Sequence, residues 1–361
     1  MPELTWLTIN TSQLSDNIRL LSQQSGKPVI ASIKANAYGH GLEIAAKAFL
    51  AGGAAGLAVA RLEEADALRK SGHDAKILIL GGLLPEGMKA AAAAGYEFFV
   101  WTPAHVAALR EIASTSKPKI HIKVDTGMGR LGCRAEEMIN IAKELRDIPQ
   151  LELEGMATHF ASADATEPAD TQAQIAAFNQ AITALTAAGL RPRTIHASNS
   201  AGLLRFPQAR YDMARAGIAA YGIEPGPGRT LPEGVKAALS WHARIVDIKT
   251  LPPGHSVSYG AAYKTGRAQK IAVIAAGYGD GFRRILNANT VAVQGQEHKV
   301  LGQICMDQCM IDGEGLDENN IGGEVALLGE HLSASQLARR WGTIPYEVLT
   351  GIAARVPRVP N

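Results

Sequence analysis

Up to about residue 228 the chain alternates short apolar runs with segments of helical spacing, and this rhythm constrains the fold more than any other feature. The runs are VIASI, LAVA, KILIL, EFFV, KIHIKV, LELEGMA, TIHA and a last one around MARAGI. Strands alternating with helical patterns are the signature of βαβ units. RLEEADALRKSG sets Leu62, Ala65 and Leu68 at helical spacing. DTQAQIAAFNQAITALTAAG sets Ile175, Phe178, Ile182 and Leu185 on one face, with Asp170 or Thr171 able to cap its start and Gly189 to end it. Eight such repeats over this length are the count of an α/β fold of the (β/α)8 TIM-barrel type. Periodicity cannot show closure, so an open doubly wound sheet stands as the alternative.

The Gly/Pro-rich segment EPGPGRTLPEG, residues 224–234, reads as a linker or long loop. Beyond it WHARIVDIKTL, KIAVIAAGY, NTVAVQGQEHKVLGQICMDQCMID and EVALLG are strand-like, with tight turns between them and a short helical finish after Ser333. The expected division is therefore a barrel over residues 1–230 and a mostly-β domain over 231–361. An orphan strand around TWLTI, taken as residues 4–8, can join the second domain.

Composition removes several function classes. Lys and Arg number 36 against 34 Asp and Glu, a net charge of +2 with no basic run, which gives nucleic acid little to hold. Cys133, Cys305 and Cys309 form neither an even framework nor a C-x-x-C pair, so a reducing compartment is expected. MPELTWLTIN has Glu3 where a signal peptide wants positive charge, and AFLAGGAAGLAVA is too short and Gly-rich to span a bilayer. No membrane partner and a cytoplasmic location follow as expectations. H-E-x-x-H, G-x-x-x-x-G-K-[ST] and G-x-S-x-G are absent, so no metal site, P-loop or hydrolase elbow is expected.

The C-terminal ends of barrel strands carry function. Alternation in VIASIKANAYGHG puts Ile30, Ser32 and Lys34 on one side, with Lys34 at the strand's mouth. Desolvated there, it would have a lowered pKa and could form a Schiff base with a carbonyl; a solvated rim lysine is the plainer reading. VDTGMGRLG holds a formal G-x-G-x-x-G at Gly127, Gly129 and Gly132, but in the fifth unit rather than the first, so a tight turn carrying Arg130 over the mouth fits better than a dinucleotide site. Asn199 and Ser200 end the seventh strand, and Gly217 and Ile218 follow the eighth, where barrels often bind phosphate. Arg215, inside a barrel end, needs an acceptor. In the second domain Tyr259 lies in the Gly-flanked SVSYGAAY, and Cys305 and Asp307 lie in QICMDQCMID.

Taken together, IKANAYGHG, KVDTGMGRLG, HASNSAG, ARAGIAAYG, SVSYG, AAGYGDG and ICMDQCMID resemble the alanine racemase family in order and spacing over essentially the whole chain. The resemblance implies a pyridoxal 5′-phosphate (PLP) enzyme that interconverts L- and D-alanine, supplies D-alanine for peptidoglycan, and works as a homodimer with shared sites. It implies that Lys34 holds PLP covalently and that Tyr259 of the partner subunit is the second acid/base. Tyr38, Asn199, Ser200, Gly217, Ile218 and Tyr346 match the phosphate-side positions, His159 joins the cofactor set, and Arg215 matches the arginine facing the pyridine nitrogen. Arg130 and Met306 match substrate-carboxylate contacts. Lys123, Tyr278, Cys305 and Asp307 match supporting positions, Lys123 as a carbamylated lysine paired with Arg130. A broader-specificity amino-acid racemase and a PLP-dependent decarboxylase of the same architecture are the alternatives.

Overall fold

The computed structural model describes residues 3–226 and 228–361; Met1, Pro2 and, in the expected linker, Pro227 lie outside the described residues. The chain divides into two compact units. One comprises Gln13–Ala37 and Ala45–Lys236, and the other the residues up to Ser12, Tyr38–Ile44 and Ala237–Asn361.

Strand β1 (Thr5–Ile9) pairs within the second unit, one residue along from the stretch expected. The first unit is built on β2 (Val29–Ser32), β3 (Gly56–Val59), β4 (Ile77–Ile79), β5 (Glu97–Val100), β6 (Lys119–Lys123), β7 (Glu152–Ala157), β8 (Thr194–His196) and β9 (Ala214–Ala216). Each pairs in parallel with the next along the chain, except that β9 returns to β2. A parallel bridge between His196 and Met213 joins β8 to the residue before β9 and closes the ring. The open sheet is thereby excluded. Alternate residues fill the interior: Ile30, Ala58, Leu78, Phe99, Ala157 and Met213 form one buried cluster, with Leu80 and Trp101 packed against it.

The outer helices bury the faces their spacing marks. Helix Leu62–Lys70 buries Ala65 and Leu68, and its acidic first turn and basic last turn both favour the helix dipole. Helix Ala169–Ala187 buries Ile175, Phe178 and Leu185. Its cap differs from expectation: Pro168 occupies the cap position and no side chain bonds there, so neither Asp170 nor Thr171 serves, and Thr171 is buried in the first turn. Gly189, at φ +68°, does end it.

The second unit is organised by the 13-residue β10 (Leu239–Leu251). Around it lie β11 (Ser256–Val257), β12 (Tyr263–Lys264), β13 (Gln269–Ile274), β14 (Thr290–Val293), β15 (Gln296–Lys299), β16 (Cys309–Asp312), β17 (Glu324–Leu328) and β18 (Arg358–Pro360). Strand β10 pairs antiparallel with β1, β13 and β17, while β1 also pairs in parallel with β18. Leu239, Trp241, Ala243 and Ile245 alternate into the core. Of QICMDQCMID only the last four residues are strand; the first half is a loop.

Trp241 is fully buried, and its indole N–H donates to Thr5 Oγ1 at 3.0 Å, while that hydroxyl donates to His242 O at 2.9 Å. Thr5→Val keeps the shape and removes the acceptor. Leaving the indole N–H unpaired should cost about 1–3 kcal/mol in a urea titration; a variant as stable as the parent would show that β1 is held by pairing and packing alone.

Candidate active site

Strand β2 ends at Ser32, and Lys34 opens a turn of unusual hand. Ala35, Asn36, Ala37 and Tyr38 all have φ between +51° and +54°. Four consecutive residues with side chains in this region cost roughly 1–2 kcal/mol each, so neighbours must hold the turn. The Glu64 carboxylate accepts from Ala35 N at 2.6 Å and, with its other oxygen, from Ala60 N at 2.8 Å. Ala37 N bonds Ile33 O at 2.8 Å. Strain of this kind gathers where a side chain is being aimed. The Lys34 ammonium has its pKa lowered, first by burial and then by Arg130 and Arg215, with Glu64 opposing.

The GMGRLG segment forms a loop at the end of β6. Asp125 accepts from the amides of Gly127, Met128 and Gly129 at 2.8–2.9 Å. The loop returns as Cys133 N bonds Lys123 O and Asp125 N bonds Cys133 O, both at 2.9 Å. A Cβ on Gly132, at φ +129°, would lie 2.5 Å from Asp125 N, so only glycine fits. The following helix starts at Ala135, beyond the glycines, which rules out the dinucleotide fingerprint and leaves Arg130 exposed on the loop. Inside the barrel Lys123 is buried, its Nζ donating to Val124 O at 3.1 Å. Burial, then Arg215 and Arg130, press its pKa down to about 7 against the opposing pull of Asp125.

Arg215 is buried and held by acceptors from three residues. It donates to His196 Nδ1 at 2.6 Å, Thr158 O at 2.8 Å and Ala197 O at 3.0 Å, and lies 3.5 Å from His159 Nδ1. His159 has its pKa driven well below the ordinary value by burial and by Arg215, Arg130, Lys123 and Lys34, so it is neutral near pH 7. Beside it Asn199 caps helix Ser200–Arg205 by accepting from Gly202 N at 2.9 Å. Ser200 Oγ accepts from Gly217 N at 2.9 Å and Ala219 N at 3.2 Å, which leaves its own O–H to donate. The Gly217 amide expected at the phosphate is spent on Ser200, and Ile218 opens the short 3-10 turn that follows.

Within the second unit the rings of Tyr38 and Tyr346 lie 6.0 Å apart, and burial followed by Tyr346 raises the Tyr38 pKa. Tyr259 follows Ser258, whose hydroxyl donates to Gln303 O at 2.5 Å and lies 3.4 Å from Cys305 Sγ. Tyr278 N bonds Cys305 O at 3.0 Å, and Arg355 donates to Asp280 and Asp307, each at 2.8 Å. Tyr259, Met306 and Tyr278 are 67%, 53% and 43% exposed in the single chain.

Glu64, His196 and Arg355 were not singled out from sequence. Alternation applied to TIHA would have turned His196 inward, but the reach of Glu64 from its helix to Ala35 left no local trace.

Lys34, Lys123, Arg130 and Arg215 thus concentrate positive charge at one end of the barrel, offset within that cluster by Asp125 and Glu64. Such a mouth fits a ligand bearing phosphate and a second anionic oxygen, presented to a lysine of lowered pKa. The comparisons agree with this chemistry. The alanine racemase N-terminal domain matches residues 9–225, and the alanine racemase C-terminal domain matches residues 238–360. The chain belongs to the alanine racemase family. It is 41% identical to an alanine racemase of Geobacillus kaustophilus, covering 98% of this chain and 94% of the relative, and 39% identical to one of Symbiobacterium thermophilum, covering 98% and 96%. Among solved structures, the Bacillus anthracis alanine racemase with bound L-Ala-P superposes with a TM-score of 0.94 at 36% identity, over 100% of this chain and 96% of that one. The family is PLP-dependent, and the cationic mouth with Lys34 suits that cofactor.

Burial alone would raise the Asp125 pKa, but its three amide bonds and Lys123 outweigh this and hold it below the usual carboxylate value. Its stabilising contribution is therefore present above that usual value and lost as pH falls through the lowered one. Asp125→Ala should cost about 1–2 kcal/mol at pH 7, discounted for solvent screening, and the gap between variant and parent should close as acid is added. A gap that is constant from pH 7 to pH 3 would refute the anchoring role.

Proposed function

We propose that the protein interconverts L- and D-alanine by a two-base route in which Lys34 and Tyr259 of the partner subunit act on opposite faces of the substrate, and that it supplies D-alanine for peptidoglycan. The observation that carries this reading is the pairing of a lysine of lowered pKa with a buried arginine, rather than a carboxylate, at the same barrel end.

When bound through Lys34, PLP supplies an electron sink for the pair of electrons left when the substrate Cα loses its proton. The rest falls to the chain's own residues. When not bound to the cofactor, Lys34 would be a free amine whose pKa burial, Arg130 and Arg215 lower, which favours its acting as a base toward the substrate Cα. Arg215 would face the pyridine nitrogen. A guanidinium does not surrender its proton, so Arg215 would offer that nitrogen a hydrogen-bond donor and no acid, an arrangement that would restrain side reactions such as transamination. Ser200 and Tyr38 would hold the phosphate, with Asn199, Gly217, Ile218 and Tyr346 around it and His159 alongside the ring. Arg130 and the Met306 amide would hold the substrate carboxylate. The exposure of Tyr259, Tyr278 and Met306 on one chain supports a homodimer that covers them.

Shared sites make an arithmetic prediction. Lys34→Ala and Tyr259→Phe homodimers should each be nearly inactive in a chiral alanine assay. In a heterodimer one site carries both defects and the other carries neither, so verified subunit exchange should restore about half of the parental activity per dimer, as independent sites require. No recovery would reject a partner-supplied tyrosine. The same assay run with serine, lysine and arginine separates an alanine enzyme from a broader racemase, and carbon dioxide release would reveal a decarboxylase.

Lys123 gives a second test. With its pKa near 7, a substantial fraction of its amine is neutral at neutral pH and nucleophilic toward carbon dioxide. Attack forms an N–C bond and releases one proton, leaving an anionic carbamate able to pair with Arg130. Labelled bicarbonate should give a protein-bound carbamate carbon resonance that disappears in Lys123→Met; its absence from the parent would leave Lys123 a plain amine.

A further inference from the structure

Arg215 is the end of a hydrogen-bonded line that crosses the barrel interior. Its Nη1 donates to His196 Nδ1 at 2.6 Å; His196 Nε2 is 2.9 Å from His121 Nδ1; and His121 Nε2 is 2.9 Å from Glu97 Oε2. The other Glu97 oxygen pairs with Lys76 Nζ at 2.9 Å. Glu97, His121, His196 and Arg215 are all buried.

The donor count gives this line one direction. Arginine has no acceptor, so His196 Nδ1 must accept and His196 Nε2 must carry the proton. His121 Nδ1 then accepts, which places its single proton on Nε2, directed at a carboxylate. Both rings are neutral Nε2–H tautomers. Reversing His196 would set its Nδ1–H against the Arg215 guanidinium, and reversing His121 would set its Nδ1–H against the His196 Nε2–H.

The line also needs a gap in the sheet. His121 on β6 reaches His196 on β8 across β7, where the residue in register with it is Gly155. A Cβ at that position would lie 2.0 Å from His121 Nδ1 and 2.5 Å from its Cε1. A register shift just before His121 brings this glycine opposite the ring.

We propose that Glu97 is a positioning residue for Arg215: acting through His121 and His196, its carboxylate fixes the tautomers that keep His196 Nδ1 an acceptor, and Gly155 provides the passage. The positioning role in catalysis rests on the racemase reading, whereas the tautomer assignment does not. Burial would raise the Glu97 pKa, but its bonds to His121 and Lys76 outweigh this and hold it ionised. The carboxylate at the far end of the line from Arg215 therefore lies two imidazoles away and touches no N–H of the guanidinium directly.

The test is nitrogen NMR of the histidine side chains in holoenzyme labelled with 15N-histidine, combined with kinetics. In the parent, His121 and His196 should both show unprotonated Nδ1 and protonated Nε2; a proton on either Nδ1 overturns the proposal without reference to activity. Glu97→Leu removes the terminal acceptor. It should lose the single-tautomer signature and lower kcat about tenfold, the scale of removing a partner that orients a functional group, with KM within about twofold. Unchanged tautomers, or an unchanged kcat, would overturn it. Gly155→Ala alters no polar atom and should reproduce both effects, so it replaces Glu97→Leu if that variant does not fold. A parent with the expected tautomers and no alanine racemisation would defeat the functional reading and leave the line itself standing.

Discussion

Burying a guanidinium at the end of a barrel is the constraint around which the first unit is arranged. An unpaired buried charge is prohibitively costly, and one partner would not satisfy the five N–H groups of an arginine. The barrel supplies three acceptors, the backbone carbonyls Thr158 O and Ala197 O just past the ends of adjacent strands, and His196 from the interior. Because β7, β8 and β9 are consecutive around the ring, closure of the sheet by the His196–Met213 bridge brings these acceptors together. An open sheet would place β9 beside β2 but leave Arg215 without its partners from β8.

The electrostatics of the mouth follow from this placement. Burial lowers the pKa of each base here and the nearby arginines add to the effect, so Lys34, Lys123 and His159 all shift in the direction of the neutral form. Neutral amines are what covalent and proton-transfer chemistry need. Arg215, which stays charged, keeps the site attractive to anions while its neighbours become reactive bases. A carboxylate in the same place would raise those pKa values and compete with the phosphate.

Much of this was legible from sequence, and the limits have physical causes. Eight strands were readable because each is a short apolar run between helices, Lys34 because alternation sets it at a strand's mouth, and Arg215 because a charge at a barrel end needs an acceptor. Closure was not readable, since it depends on one bridge between residues 17 apart. Nor was the capping of helix Ala169–Ala187, where Pro168 takes a position that polar residues nearby were expected to fill. The site roles came from a resemblance spread over seven motifs; spacing alone left Lys34 as a plain rim lysine. Glu64 and His196 escaped because their partners lie 29 and 19 residues away in sequence and meet only in the folded barrel.

The left-handed turn after Lys34 is where the chain passes from one unit to the other. Residues up to Ala37 belong to the barrel, and Tyr38–Ile44 belong to the β unit, so the turn is the link by which the chain leaves β2. A right-handed turn would be cheaper by several kcal/mol over four residues, but it would redirect both Lys34 and the segment that follows. Constraints on either side hold the costly form. Glu64 ties down Ala35, and beyond Tyr38 the chain passes through Gly39, at φ +84°, where a Cβ would lie 2.3 Å from Leu349 O. Gly39 packs against the helix Pro345–Thr350 that also carries Tyr346, the ring partner of Tyr38. One short segment thus follows the lysine at the end of β2 and begins the stretch that carries Tyr38 to its ring partner Tyr346.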